Sequence, residues 1–290
     1  MKPFDYFSPA SLNEACTVLA RSGNDARILA GGTDVLVELR KPSAHSPQSI
    51  IDISSIPSLK GIVESNDSIV IGALTTHDEI YRSQLVGRYA SLLQSAVATI
   101  GSPQIRNRGT IGGNIMNAAA CADTVPPLLA LNARIKLRSV SGEREVPLAD
   151  FFLKPYVTSA RKDEILTEIR FSKLDPDVRS SFVKLGRRNA LSISRLSVGV
   201  VLKINSANVI EEARIVPGAA FPSWRRVREA EELLLGQHPS REAFVKAGRK
   251  VSEIMISFSG RRWSTEYKEP VVAVLVRRAL EQCASQEKKA

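Results

Sequence analysis

Two short segments built on paired glycines, Ala30-Gly31-Gly32-Thr33-Asp34 and Thr110-Ile111-Gly112-Gly113-Asn114, constrain this chain more than any other feature. Each follows a run that reads as a strand or apolar element, and each ends in a small polar residue. Lacking a Cβ, glycine adopts φ > 0 readily and lets other groups approach the main chain closely. A tight turn of this kind brings several N–H groups to one face, and such a concave row of amides is an anion site. One turn suits one phosphate; two turns, brought together from distant positions, suit the two ends of a pyrophosphate. The pairing therefore predicts a dinucleotide held between two lobes. Neither segment is the strand-linked G-x-G-x-x-G or the G-x-x-x-x-G-K phosphate loop. A lone Gly-Gly pair marks an ordinary turn more often than a ligand site, so the inference rests on the two segments together and on their surroundings.

A chain of 290 residues, 43% hydrophobic, has enough apolar content for sizeable cores and is long enough for two domains. The sequence has no apolar run of bilayer length and opens without the basic-then-apolar pattern of a signal peptide, which points to a cytoplasmic protein. Cys16, Cys121 and Cys283 are far apart with no C-x-x-C, so neither a disulfide framework nor a cysteine-ligated cluster is expected within the chain. The net charge of +10 raises the question of nucleic acid. Its cations are dispersed and aromatics are only 6%, so solvated faces and contacts with acidic partners account for it as well, and no nucleic-acid partner is expected. The densest cationic groups are Arg187-Arg188, Arg225-Arg226 with Arg228, and Arg261-Arg262.

Local patterns give an α+β organisation. Residues 11–20 repeat apolar positions at helical spacing, with Ser11 and Glu14 as a capping box and Gly23 placed to end the helix. Residues 27–30 and 50–53 read as strands, making a small βαβ lobe of about residues 1–57. A mixed α+β lobe follows over 58–174, with a strand starting at Ile69, a helix over 90–100 and an alternating strand at 134–138 that keeps one face wet. The polar stretch 172–177 marks a boundary. Beyond it a smaller α+β domain, 178–285, carries strands near 181–185, 197–204 and 213–217, then helices over 228–235, 241–256 and 271–283. Residues 286–290 read as a frayed tail.

The same stretches resemble the FAD-binding subunit of the molybdenum hydroxylases, the xanthine dehydrogenase and carbon monoxide dehydrogenase family. The likeness runs through Lys2-Pro3-Phe4-Asp5-Tyr6, residues 27–34, Ile50-Ile51-Asp52-Ile53, Ile71-Gly72-Ala73-Leu74-Thr75-Thr76-His77, and residues 100–117. It continues through Asp123-Thr124-Val125-Pro126-Pro127-Leu128, Asp163-Glu164-Ile165-Leu166 and Phe182-Val183-Lys184-Leu185-Gly186-Arg187-Arg188. It covers essentially the whole chain, and residues 31–34 and 104–107 are nearer the xanthine dehydrogenase form. It implies a two-lobed FAD-binding domain over 1–174 and a flavoprotein C-terminal domain over 178–285. The implied FAD contacts are Arg27, Ile28, Leu29, Ala30, Gly31, Gly32, Thr33 and Asp34 in the first segment. In the second they are Gly109, Thr110, Ile111, Gly112, Gly113 and Asn114, with Asp123 on the adenosine ribose and Ile100, Leu166 and Lys184 along the adenine and flavin. Without the resemblance, Asp123 reads as a turn cap, Ile100 and Leu166 as core, and Lys184 as a solvated strand residue.

The resemblance further implies a small iron–sulfur subunit with two 2Fe–2S clusters, a large subunit with the molybdenum cofactor, and an external acceptor such as NAD or a quinone. This chain would carry FAD, hold no metal and supply no catalytic acid or base. His45, His77 and His238 lack a second ligand at metal spacing and read as surface or satisfied histidines, and Trp224 and Trp263 as packing or interface residues. Two other readings stay open: a stand-alone flavoprotein oxidase of the vanillyl-alcohol oxidase type, and an assembly protein without cofactor.

Overall fold

The computed structural model describes residues 3–41, 46–188, 191–261 and 263–286; His45, Arg262 and residues 287–290 lie outside the described residues. Its first lobe holds β1 (Asp5–Phe7), α1 (Leu12–Ser22), β2 (Ala26–Leu29), α2 (Val35–Leu39) and β3 (Ser49–Asp52). The three strands form a parallel sheet in the order β1-β3-β2, so the expected βαβ unit gains an edge strand from the first residues. Ser11 caps α1, its Oγ accepting from the Glu14 N–H at 3.2 Å, while the Glu14 carboxylate accepts from the Ala10 N–H at 2.8 Å. The box therefore closes one residue earlier than its usual form. Ala15, Cys16 and Leu19 on the buried side of α1 pack on Ile51, Ile53 and Ile56.

The second lobe begins with β4 (Ile62–Ser65) and β5 (Ser68–Gly72). Six short helices follow: α3 (His77–Arg82), α4 (Gln84–Tyr89), α5 (Ser91–Ala98), α6 (Pro103–Arg106), α7 (Ile111–Asn117) and α8 (Val125–Ala130). The lobe ends with β6 (Arg134–Ser139), β7 (Gly142–Pro147), β8 (Phe152–Lys154), β9 (Val157–Thr158) and β10 (Ile165–Ser172). Its main sheet is antiparallel in the order β4-β5-β10-β6-β7. The alternation in β6 works as expected: Ile135 and Leu137 are buried, while Lys136 and Arg138 pair with Glu168 and Glu143 at 3.0 Å each.

The C-terminal part places β11 (Val178–Leu185), β12 (Leu196–Ile204) and β13 (Ile210–Gly218) in one antiparallel sheet, followed by α9 (Arg228–Glu231), α10 (Arg241–Ser259) and α11 (Thr265–Ala284). The central strand β12 is apolar almost throughout because both its faces are covered. Val198, Val200 and Leu202 belong to the core made with α10 and α11, whereas Val201 joins Val216 and Phe182 in the core of the second lobe. The helix expected over 228–235 shortens to a single turn, and Gly236 turns at φ 74° just beyond it. The last helix starts earlier than its apolar pattern suggested and accommodates Pro270.

One larger difference concerns the second glycine segment. It is not a free turn: residues 111–117 form α7, and Thr110 is its N-cap, the hydroxyl accepting from the Gly113 N–H at 3.1 Å. Thr110 also bridges to Thr76 in an antiparallel pair. A Thr ahead of small residues is itself a helix-start signal, and here it prevails over the turn preference of Gly-Gly.

Candidate functional site

A cavity of about 530 Å³ lies where the first lobe meets the second, within the range of roughly 300–1,000 Å³ typical of cofactor sites. Its floor is the junction of the two glycine segments. A Cβ on Gly31 would stand 2.0 Å from the Arg108 carbonyl oxygen and 3.1 Å from the Gly109 Cα, so the main chains touch there and only glycine fits. Gly32 has φ 74°, a conformation that glycine adopts without strain. The main-chain N–H groups of Gly31, Gly32, Thr33 and Asp34 have no acceptor among the described residues. Four neighbouring donors without a protein partner are an unusual density, since most such groups in a fold are paired.

The second segment is wired differently. The Ile111 N–H donates to the Thr75 carbonyl at 3.0 Å, Gly112 to Ala73 at 2.9 Å, and Asn114 to Thr110 at 3.0 Å. Its glycines serve close packing. A Cβ on Gly112 would lie 2.6 Å from the Ala73 oxygen, and one on Gly109 would lie 3.1 Å from the His77 ring. Asn114 accepts at Oδ1 from the Thr124 hydroxyl at 2.6 Å, which fixes its carboxamide and leaves the NH₂ to donate elsewhere.

Of the residues singled out from the sequence, Arg27, Ile28, Ala30, Gly31, Gly32, Thr33, Asp34, Ile100, Gly109, Thr110, Gly112, Gly113, Asn114 and Leu166 line this cavity. Leu29, Ile111, Asp123 and Lys184 do not. Ile111 is fully buried in the core of the second lobe. Asp123 and Lys184 form a buried ion pair at 2.7 Å. The ammonium also donates to the Thr99 carbonyl at 2.9 Å, and Ser194 donates its hydroxyl to the other carboxylate oxygen. Burial pushes the Asp123 carboxyl up, opposed by Lys184 and Ser194.

Sequence reasoning missed part of the wall. Tyr156, Val157 and Thr158, in and beside β9, and the turn from Arg161 to Glu164 close one side. In that turn Arg144 grips Glu164 at 2.6 and 2.8 Å and holds its carboxyl below the usual range. A strand of only two residues leaves no periodicity to detect. His77, expected at the surface or satisfied, is instead in the cavity wall, 3% exposed, and its Nδ1 has no hydrogen-bond partner. Its signal was position: it directly follows Thr76, which with Glu79 forms a capping box at the start of α3.

Residues 2–173 match the family described as the FAD binding domain in molybdopterin dehydrogenase, and residues 181–283 match the CO dehydrogenase flavoprotein C-terminal domain. The chain is similar to the carbon monoxide dehydrogenase medium chain of Hydrogenophaga pseudoflava, 32% identical over 277 residues that cover 96% of each. It is also similar to the xanthine dehydrogenase FAD-binding subunit of Escherichia coli O157:H7, 29% identical, covering 97% of this chain and 96% of that one. These identities lend no preference to the xanthine form. Among solved structures, a chain of carbon monoxide dehydrogenase from Hydrogenophaga pseudoflava, in a form lacking the Mo-pyranopterin moiety of the molybdenum cofactor, superposes with a TM-score of 0.91. That match has 32% identity and covers 98% of both chains.

Proposed function

This chain belongs to the family of FAD-binding subunits of molybdenum hydroxylases, and on that premise we propose that it takes electrons from the 2Fe–2S clusters of a small partner subunit and passes them to an external acceptor. The carrying observation is the row of four free N–H donors at residues 31–34, set in a cavity of cofactor size. A pyrophosphate offers the acceptor oxygens those donors lack, so the residues present fit FAD. Bound FAD supplies a carrier that takes up two electrons and gives them up again.

The chain's own residues bind and orient. Gly31 to Asp34 hold the diphosphate, Asn114 donates its NH₂ from the opposite segment, and Ile100 and Leu166 supply apolar surface for the ring systems. In place of the ribose contact implied by the resemblance, we assign Asp123 and Lys184 an indirect part. They tie residues 99, 123 and 194 together behind the cavity, and the neighbouring Thr124 fixes Asn114. The large molybdenum subunit would oxidise the substrate, and NAD or a quinone would remove the electrons. Among the described residues no helix is long and apolar enough to cross a membrane.

The test is rapid mixing of the FAD-loaded chain with substrate, alone and with both partner subunits. Flavin bleaching is expected only with the partners. Bleaching by substrate in the isolated chain, or iron or molybdenum found in it, would refute this reading and favour a self-sufficient oxidase.

A further inference from the structure

His77 is the first residue of α3, and the protein makes no use of its Nδ1. That nitrogen is sealed from solvent without a hydrogen-bond partner. The main chain around it is firmly set: its N–H donates to the Gly109 carbonyl at 3.0 Å, and Thr76 and Glu79 close a full capping box beneath it. A buried polar atom left unmatched carries a free-energy cost, and a site that needed only bulk would be filled better by an apolar ring. The ring's other edge lies against Gly109, where the absence of a side chain leaves it room. A Cβ on Gly109 would stand 3.1 Å from Cδ2 and 3.5 Å from Nε2, and Gly109 and His77 both border the cavity. Gly109 in turn abuts Gly31, and Gly31 borders the same cavity with its amide unspent.

Burial, helped by the charge of Arg106, keeps the imidazole neutral, with its pKa lowered to about 4. A neutral imidazole has one N–H and one lone pair. Since Nδ1 has no acceptor, the proton is best placed on Nε2, which makes that nitrogen a donor toward the cavity.

Building on the FAD reading, we propose that His77 is a binding residue for the cofactor, its Nε2–H donating to an oxygen of the ribityl–pyrophosphate chain as that chain passes between the two glycine segments. The experiment is fluorescence titration of the full chain with FAD and with riboflavin, for the wild type, His77→Phe and His77→Gln. The Phe variant keeps the bulk and removes both nitrogens, and it is expected to bind FAD about 10-fold more weakly. The Gln variant offers an N–H donor and is expected to recover most of that loss. If riboflavin weakens by the same factor, the partner is a ribityl hydroxyl; if only FAD weakens, it is a phosphate oxygen. FAD affinity unchanged in His77→Phe, or equally weak in both variants, overturns the proposal. Should the Phe variant not fold, the ¹⁵N resonance of Nε2 in the wild type replaces it: a shift on adding FAD supports the contact and no shift overturns it. A wild type that takes up no FAD would overturn the cofactor reading as well, whereas the variant results bear on His77 alone.

Discussion

Residues 31–34 leave their main-chain donors free, whereas residues 111–114, with nearly the same run of small residues, spend theirs on Thr75, Ala73 and Thr110. Both segments use glycine, for different reasons. In the first, Gly32 provides a positive φ and Gly31 a contact between main chains; in the second, Gly112 and Gly109 let α7 and its approach lie against Ala73 and His77. The first segment therefore keeps its amides open toward the cavity, while the second, which also lines it, spends its amides on the protein. Similar glycine content says that something comes close, without saying whether that is a cofactor or the protein itself.

The severest test of this contrast is Gly31→Ala. Its Cβ would meet the Arg108 oxygen at 2.0 Å, main chain against main chain, and we expect a loss of about 3 kcal/mol or more in urea unfolding. An unaltered midpoint would mean that the two segments do not meet as described.

Next in size is a pH effect at His77, which packs on Gly109 of the second segment. The pKa of His77 in the folded protein is about 4, against 6.5 as its ordinary value, so between those values the unfolded chain binds more protons. Stability is thus complete above pH 6.5 and declines as pH falls toward 4, by about 3 kcal/mol over the whole window. Comparing the urea midpoints of wild type and His77→Phe across that range isolates the effect, and parallel curves would show that the ring is not held neutral.

A pair of variants probes the asymmetry directly. In Gly112→Ala the Cβ would press on the Ala73 oxygen at 2.6 Å, which should lower stability by about 2 kcal/mol with a modest change in flavin affinity for the folded fraction. Gly32→Ala should cost only about 1 kcal/mol of backbone strain yet weaken flavin binding more than Gly112→Ala does. The reverse ranking would exchange the roles of the two segments. The smallest effect is expected for Thr110→Val, which removes the cap of α7 at a cost of about 1 kcal/mol in thermal unfolding.

Local sequence determined a good deal of this protein. The spacing of Ala15, Cys16 and Leu19 with Ser11 and Glu14 gives α1, and the alternation around Ile135 and Leu137 gives a strand with one wet face. The paired glycines announce close approaches of the main chain, because no other residue permits them. These are properties of neighbours along the chain, and the relevant forces act within a few residues. Tertiary structure alone decided which amides stayed free, since that depends on whether Ala73 and Thr75 arrive beside residues 111 and 112. It also turned Lys184 and Ser194 onto Asp123, from 61 and 71 residues away, and placed His77 in a wall with its ring unmatched. Hydrogen bonding and burial depend on every group within a few ångströms, and no local pattern records which distant groups those will be.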